Sequence, residues 1–319
     1  MTGVRPPLSD TMPKDRFPRC PPPAACDRAT ADDPADAAAA PPQGAPDHGA
    51  PIFPYWTGTK TAIAICALKL AEQGRADLDA CLPDHGVTLR QLLNHTAGLP
   101  DYATLDSYRQ GGARDEEPRP REVLLGAAMR QGRLFPPGTG WAYSHIGYML
   151  AREHIEAVSQ RPFPVLFRAL IGDVLGLQSI EPTTAREDFA RVHWPAARRH
   201  HPGSVYHGCL TGTAADAARL LHGLFAGRLL GRGMLARMTR RHLLGGAIAG
   251  RPWTRGGYGI GLMIGRFGDA GRVIGHSGGG PFCVNAVYHF PDRPDPVTVA
   301  CFTDGTDEGR AEFAAARCA

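Results

Sequence analysis

The chain has 319 residues, of which 43% are hydrophobic and 21% charged, enough apolar material for one large core or two smaller ones. Its net charge of +4, from 35 basic and 31 acidic residues, has no basic cluster beyond short pairs such as Arg198-Arg199 and Arg240-Arg241, which argues against nucleic acid or a membrane surface as partner. The eight cysteines, Cys20, Cys26, Cys66, Cys81, Cys209, Cys283, Cys301 and Cys318, show neither C-x-x-C nor Cys/His zinc spacing, so they read as buried or incidental thiols, and no metal or cofactor is expected.

In chain order, residues 1–50 come first and hold 11 prolines and 11 alanines. Such a composition buries little apolar surface and blocks regular ladders, so residues 1–51 read as a disordered leader and residues 52–319 as one folded domain. No apolar segment follows a basic start, and no later apolar run is long enough to span a bilayer. The expectation is a cytoplasmic protein, or a periplasmic or secreted one if the start of the chain is misassigned. "KTAIAICALKLAEQG", ended at Gly74, is apolar almost all round and reads as a helix inside the core. "VTLRQLLNH", "REVLLGAAMRQG", "IGYMLAREHIEAVSQ", "FPVLFRALIGDVLGL" and "TAADAARLLHGLFAG" have the spacing of amphipathic helices. From about residue 250 the pattern changes. "GGYGIGLMIGRF", "GRVIGHSGG", "FCVNAVYHF" and "PVTVACFTD" alternate, carry β-branched residues and are separated by Gly or Pro-Asp breaks, as consecutive antiparallel strands would be. Helices first and strands last imply an α+β fold, one antiparallel sheet flanked by helices.

Three short constellations stand at element boundaries: Thr57-Gly58-Thr59-Lys60 at a helix start, Tyr143-Ser144-His145 in a loop entering a helix, and His276-Ser277-Gly278-Gly279 at a strand end. Thr57 and Lys60, three apart, share one helix face. With the phrases "LRQLLNHTAGLP", "LFPPGTGWAYSHIGYML", "GCLTGTAADAARLL" and "GHSGGGPF", these residues resemble the serine β-lactamase and penicillin-recognising hydrolase superfamily, in its class C β-lactamase-related branch of esterases and peptidases. That family carries S-x-x-K, Y-x-N, and K-T-G or H-x-G. The resemblance runs from Phe53 to Asp304. It implies a β-lactamase/transpeptidase-like fold with a helical subdomain, and hydrolysis of a small-molecule ester or amide, a lactam or D-amino-acid peptide among them, through an acyl-enzyme. Thr57, Lys60 and Tyr143 would be the catalytic groups. His145, His276, Gly278 and Gly279 would stand at the substrate and oxyanion positions, with the N–H groups of Thr57 and Gly279 as donors.

The chain departs from the family pattern in three places. Thr57 stands where the family has serine, His145 where it has asparagine, and the Pro/Ala-rich leader where two strands usually precede the nucleophile helix. Acyl transfer needs an activated hydroxyl and donors aimed at the developing oxyanion. A helix N-terminus suits Thr57 for that work, and it equally suits a threonine that is only an N-cap. Lys60 can take the proton if burial makes it neutral. Alternatively it stays charged and depresses the pKa of Tyr143, whose phenolate takes the proton. His145 can orient substrate or Lys60, or be merely tolerated; His276 can face the oxyanion, a substrate carboxylate or solvent; and Gly278 to Gly280 can be a simple turn. His95 reads as a residue that holds a loop, and His193, His200, His201 and His207 lack metal-ligand spacing. Two functions therefore stand, a hydrolase acting through Thr57 and a non-catalytic relative that binds an acyl or peptide ligand. The sequence leaves the oligomeric state open.

Overall fold

The computed structural model describes residues 25–30 and 49–319. Its strands are β1 (Ala25–Ala29), β2 (Phe53–Pro54), β3 (Cys81–Leu82), β4 (Val87–Thr88), β5 (Glu181–Thr183), β6 (Cys209–Gly212), β7 (His242–Gly245), β8 (Trp253–Tyr258), β9 (Met263–Phe267), β10 (Gly271–Gly279), β11 (Cys283–Phe290) and β12 (Val297–Asp304). Its α-helices are α1 (Thr59–Glu72), α2 (Leu89–Leu93), α3 (Asp106–Ala113), α4 (Arg121–Met129), α5 (His145–Ser159), α6 (Phe163–Phe167), α7 (Asp173–Leu175), α8 (Ala214–Phe225), α9 (Arg232–Thr239) and α10 (Glu308–Cys318).

One seven-stranded antiparallel sheet, ordered β1-β12-β11-β10-β9-β8-β7, divides the molecule. The period-2 pattern of its central strands sends alternate side chains to opposite faces. Ala300 and Phe302 of β12 join the larger core with α1, α5 and α8, while Val299 and Cys301 join a second core under Ala311, Ala314 and Ala315 of α10. The antiparallel sheet flanked by helices is therefore the one the sequence implies. The stretch "GGYGIGLMIGRF" holds two strands instead of one. At the break between them Gly261 takes φ +69°, and a methyl there would come within 2.5 Å of the Ala64 side chain, so only glycine lets this turn lie against α1.

The leader expected over residues 1–51 is corrected at one place. Ala25–Ala29 is a strand, paired in antiparallel register with β12 from Ala25↔Phe302 to Ala29↔Thr298. The segment lies between Pro23 and Pro34, so every residue in it keeps the N–H a ladder needs, and Ala29 is buried in the larger core. Residues 1–24 and 31–48 lie outside the described residues. The reading of all cysteines as unpaired thiols is corrected too, because Cys26 and Cys301 face each other across this ladder and form a disulfide. None of the helices among the described residues is long and apolar enough to cross a membrane.

Candidate active site

Helix α1 is buried from Thr59 to Leu68, as its all-round apolar sequence requires. The residue two before Gly58, Trp56, has φ +46°, a conformation that strains an L side chain. It forces a sharp entry into a short 3-10 turn, Trp56–Gly58, so that Thr57 lies half-buried at the helix mouth. Asn285 of β11 holds this entry by donating from Nδ2 to the carbonyls of Pro54 and Tyr55, both at 3.2 Å.

Thr57 does not cap the helix. Its hydroxyl donates to the Ser277 carbonyl of β10 at 2.8 Å and is a hydrogen-bond partner of the Tyr143 phenol. The next residue along β10, Gly278, packs directly on it: a methyl at Gly278 would come within 2.8 Å of Thr57 Oγ1 and 3.1 Å of Thr57 N. Gly278 is thus a close-approach glycine and not a turn, since β10 continues to Gly279. Gly279 is exposed at the strand end.

Lys60 has no exposed surface. Its Nζ lies 3.4 Å from His207 Nε2, and 5.1 Å and 5.6 Å from the ring centres of Tyr143 and Tyr148. Burial drives its pKa well below the usual lysine value, and the more distant charges of Asp101 and Glu308 oppose this only in part. Around it stand three buried imidazoles, His95, His207 and His276, and the partly exposed His145, each held below the ordinary histidine range first by burial. Burial also pushes the Tyr143 phenol well above 10, and Tyr258, Glu308 and Asp101 add to the shift. Burial thus moves the two candidate proton acceptors in opposite directions, the lysine down and the tyrosine up.

The remaining expected site residues behave differently. His145 makes no hydrogen bond to Lys60; its Nδ1 pairs with Asp101 at 2.8 Å and its ring lies 5.4 Å from that of His207. His276 is buried and lines a small apolar cavity with Tyr55, Ala62 and Leu221. Its Nε2 lies 3.0 Å from the Tyr258 hydroxyl, and burial lowers its pKa to about 3. Ser277 points to the other face of the sheet, where its hydroxyl donates to Glu312 at 2.8 Å within a network that includes Arg251 and Tyr288. His95 holds the tyrosine loop as expected: its Nδ1 accepts from Ser144 N at 3.2 Å and its ring centre is 4.2 Å from that of Tyr143. Sequence spacing missed His207, Asp101, Asn285 and Tyr258, which all reach the site from other elements. Among the described residues, one group has the proximity a metal would need, Cys26, Cys301 and Cys318. Two of its sulfurs are spent in the disulfide, which leaves a single thiol.

This sheet, with a hydroxyl, lysine and tyrosine meeting at one strand end, defines the β-lactamase/transpeptidase-like class. The chain belongs to the Beta-lactamase family, whose family model matches residues 35–317. It is similar to penicillin-binding protein 4* of Bacillus subtilis, 39% identical over 84 residues, which are 24% of this chain and 17% of that protein. It is also similar to a D-aminopeptidase of Cereibacter sphaeroides, 32% identical over 97 residues, 30% of this chain and 19% of that one. The matched segments thus span less than a fifth of the length of these relatives. Among solved structures, a D-stereospecific amidohydrolase from Streptomyces sp. superposes with a TM-score of 0.68 at 22% identity over 85% of this chain and 87% of that one, which establishes a common fold.

Proposed function

We propose that the protein is a hydrolase that cleaves an amide or ester through an acyl-enzyme on Thr57, with small D-amino-acid amides or peptides as the substrate class. The observation that carries the reading is the fully buried Lys60, one turn from Thr57 and under the Tyr143 ring. Its lowered pKa supplies an amine able to take the Thr57 proton. The Tyr143 phenol, kept protonated, hands a proton to the leaving group and regains one from the Lys60 ammonium beside its ring, which returns both groups to their starting state. The N–H groups of Thr57 and Gly279 receive the oxyanion at the head of α1. The substrate class rests on the D-aminopeptidase and D-stereospecific amidohydrolase likenesses.

A second reading is favoured by one specific contact. The Thr57 hydroxyl is donated to the Ser277 carbonyl and packed against Gly278, as it would be in a non-catalytic relative that keeps the pocket for an acyl or peptide ligand. In the hydrolase this contact is a resting state, broken when Thr57 rotates about χ1. Incubation with a fluorophosphonate or a fluorescent penicillin, followed by intact mass measurement and peptide mapping, separates the two. A covalent adduct on Thr57 that is lost in Thr57→Ala supports the hydrolase. A folded protein left unlabelled by saturating probe over hours supports the binding protein.

A further inference from the structure

We infer that His207 is a positioning residue for Lys60, accepting a hydrogen bond from its Nζ and so aiming the amine's lone pair at the Thr57 hydroxyl. The inference rests on the hydrolase reading above and extends it to a residue far from all three motifs. His207 Nε2 is the single hydrogen-bond partner of Lys60 among the described residues, at 3.4 Å. The other ring nitrogen, Nδ1, is buried without a hydrogen-bond partner, and the Trp56 backbone lies close enough to the ring to raise its pKa against the effect of burial. A neutral imidazole carries one hydrogen, and with it on Nδ1 the lone pair of Nε2 is presented to the lysine.

The consequence follows from counting. A neutral amine has two N–H bonds and one lone pair. The rings of Tyr143 and Tyr148 wall two sides of Nζ, and their π-faces attract N–H and repel a lone pair. With one N–H on His207 and the other toward a ring, the lone pair is left free for the Thr57 hydroxyl. Were His207 the donor, the lone pair would be consumed by the imidazole and Lys60 could accept nothing from Thr57.

The placement of His207 is as firm as that of Thr57, because the two are tied through one ladder. His207 is 1% exposed and stands two residues before β6, which pairs with β2 (Phe53↔Gly212, Pro54↔Thr211). Tyr55 N donates to the Leu210 carbonyl at 2.8 Å, and Leu210 N to Thr59 Oγ1 at 3.0 Å. These bonds lock the strand bearing the acceptor to the segment bearing the nucleophile. His145, at the position of the family's asparagine, is held by Asp101 instead, which leaves the lysine to His207.

Two variants of His207 test this. His207→Phe keeps the ring and removes the acceptor; His207→Gln removes the ring and returns an acceptor oxygen near the place of Nε2. With a D-amino-acid amide as substrate, the expected result is a kcat about 100-fold lower for His207→Phe at a KM within about twofold. His207→Gln should recover kcat to within about tenfold of wild type. A merely structural role gives the reverse order, since phenylalanine fills the apolar volume and glutamine does not, and that order overturns the inference. If wild type neither hydrolyses the amide nor takes a fluorophosphonate label, the hydrolase reading fails by itself, and the hydrogen bond is read from stability. In a double-mutant cycle with Lys60→Met, the effect of His207→Phe on the unfolding equilibrium constant should shrink at least fivefold in the methionine background. Additive effects overturn the inference.

Discussion

Replacing Lys60 by methionine tests the electrostatics of the site without any substrate. Lys60 is fully buried, its one hydrogen-bond partner among the described residues is His207, and its ordinary pKa is 10.5. A lysine that enters the fold uncharged at pH 7 must first lose a proton that the unfolded chain keeps. That costs ~1.4 kcal/mol for each pH unit by which the solution lies below the ordinary value and above the lowered one. The sign follows from proton counts. The folded pKa is lowered, so below the ordinary value the unfolded chain binds the extra proton, and stability rises with pH until that value is passed. Methionine, of similar volume and always neutral, carries no such penalty, and the lost hydrogen bond to His207 returns only ~1 kcal/mol of the gain. Lys60→Met is therefore expected to be more stable than wild type at pH 7, the gap closing at ~1.4 kcal/mol per unit as the pH rises toward the ordinary lysine value. Urea denaturation at intervals from pH 7 to 10 measures it, while labelling by a fluorophosphonate should disappear. A variant less stable than wild type at pH 7, with an unchanged pH slope, would falsify the neutral-lysine account.

Four further outcomes are expected. Thr57→Ser removes the methyl that stiffens χ1 and so eases rotation of the hydroxyl away from the Ser277 carbonyl, and the rate of acylation by fluorophosphonate should rise roughly fivefold, about 1 kcal/mol of barrier; an unchanged or lower rate places the limit elsewhere. Gly278→Ala sets a methyl 2.8 Å from Thr57 Oγ1, and the shift of about 0.6 Å needed to relieve it should slow acylation ~10- to 100-fold and lower stability by ~1–3 kcal/mol; wild-type labelling would mean that Thr57 and β10 do not act as one unit. His276, lowered to about 3 by burial, is protonated first in the unfolded chain, so stability falls as pH drops below 6.5. Between pH 7 and 5 this one group accounts for ~2 kcal/mol, a loss that denaturation curves of His276→Asn should lack. Cys26→Ser breaks the disulfide that fastens β1 to β12 and should cost about 2–5 kcal/mol, with hydrogen exchange rising first at Ala25–Ala29.

What could be read from the sequence was what is local. "GRVIGHSGG" and "FCVNAVYHF" announce β10 and β11 because alternation over eight or nine residues repeats along each strand, and those strands lie in mid-sheet with both faces buried. The helix after Thr57 was legible for the opposite reason, since an unbroken apolar run has nowhere to go but inside. The T-x-x-K, Y-S-H and H-S-G groups could be located because each sits where one element ends and the next begins. Their partners could not. β1 is five residues without strong strand formers, and it exists because β12 presents an open edge and Cys301 a partner sulfur 275 residues away. His207 and Lys60 are 147 residues apart, and nothing in "SVYHGCL" tells a histidine that faces a lysine from one that faces water. His276 reverses the case: its motif placed it at the strand tip correctly, yet strand alternation turns it inward onto Tyr258 while Ser277 turns outward to Glu312. The motif names the backbone that must approach Thr57, and the sheet's twofold period then decides which side chains can take part. For that reason the glycine and the carbonyl of β10 touch the candidate nucleophile, and its histidine does not.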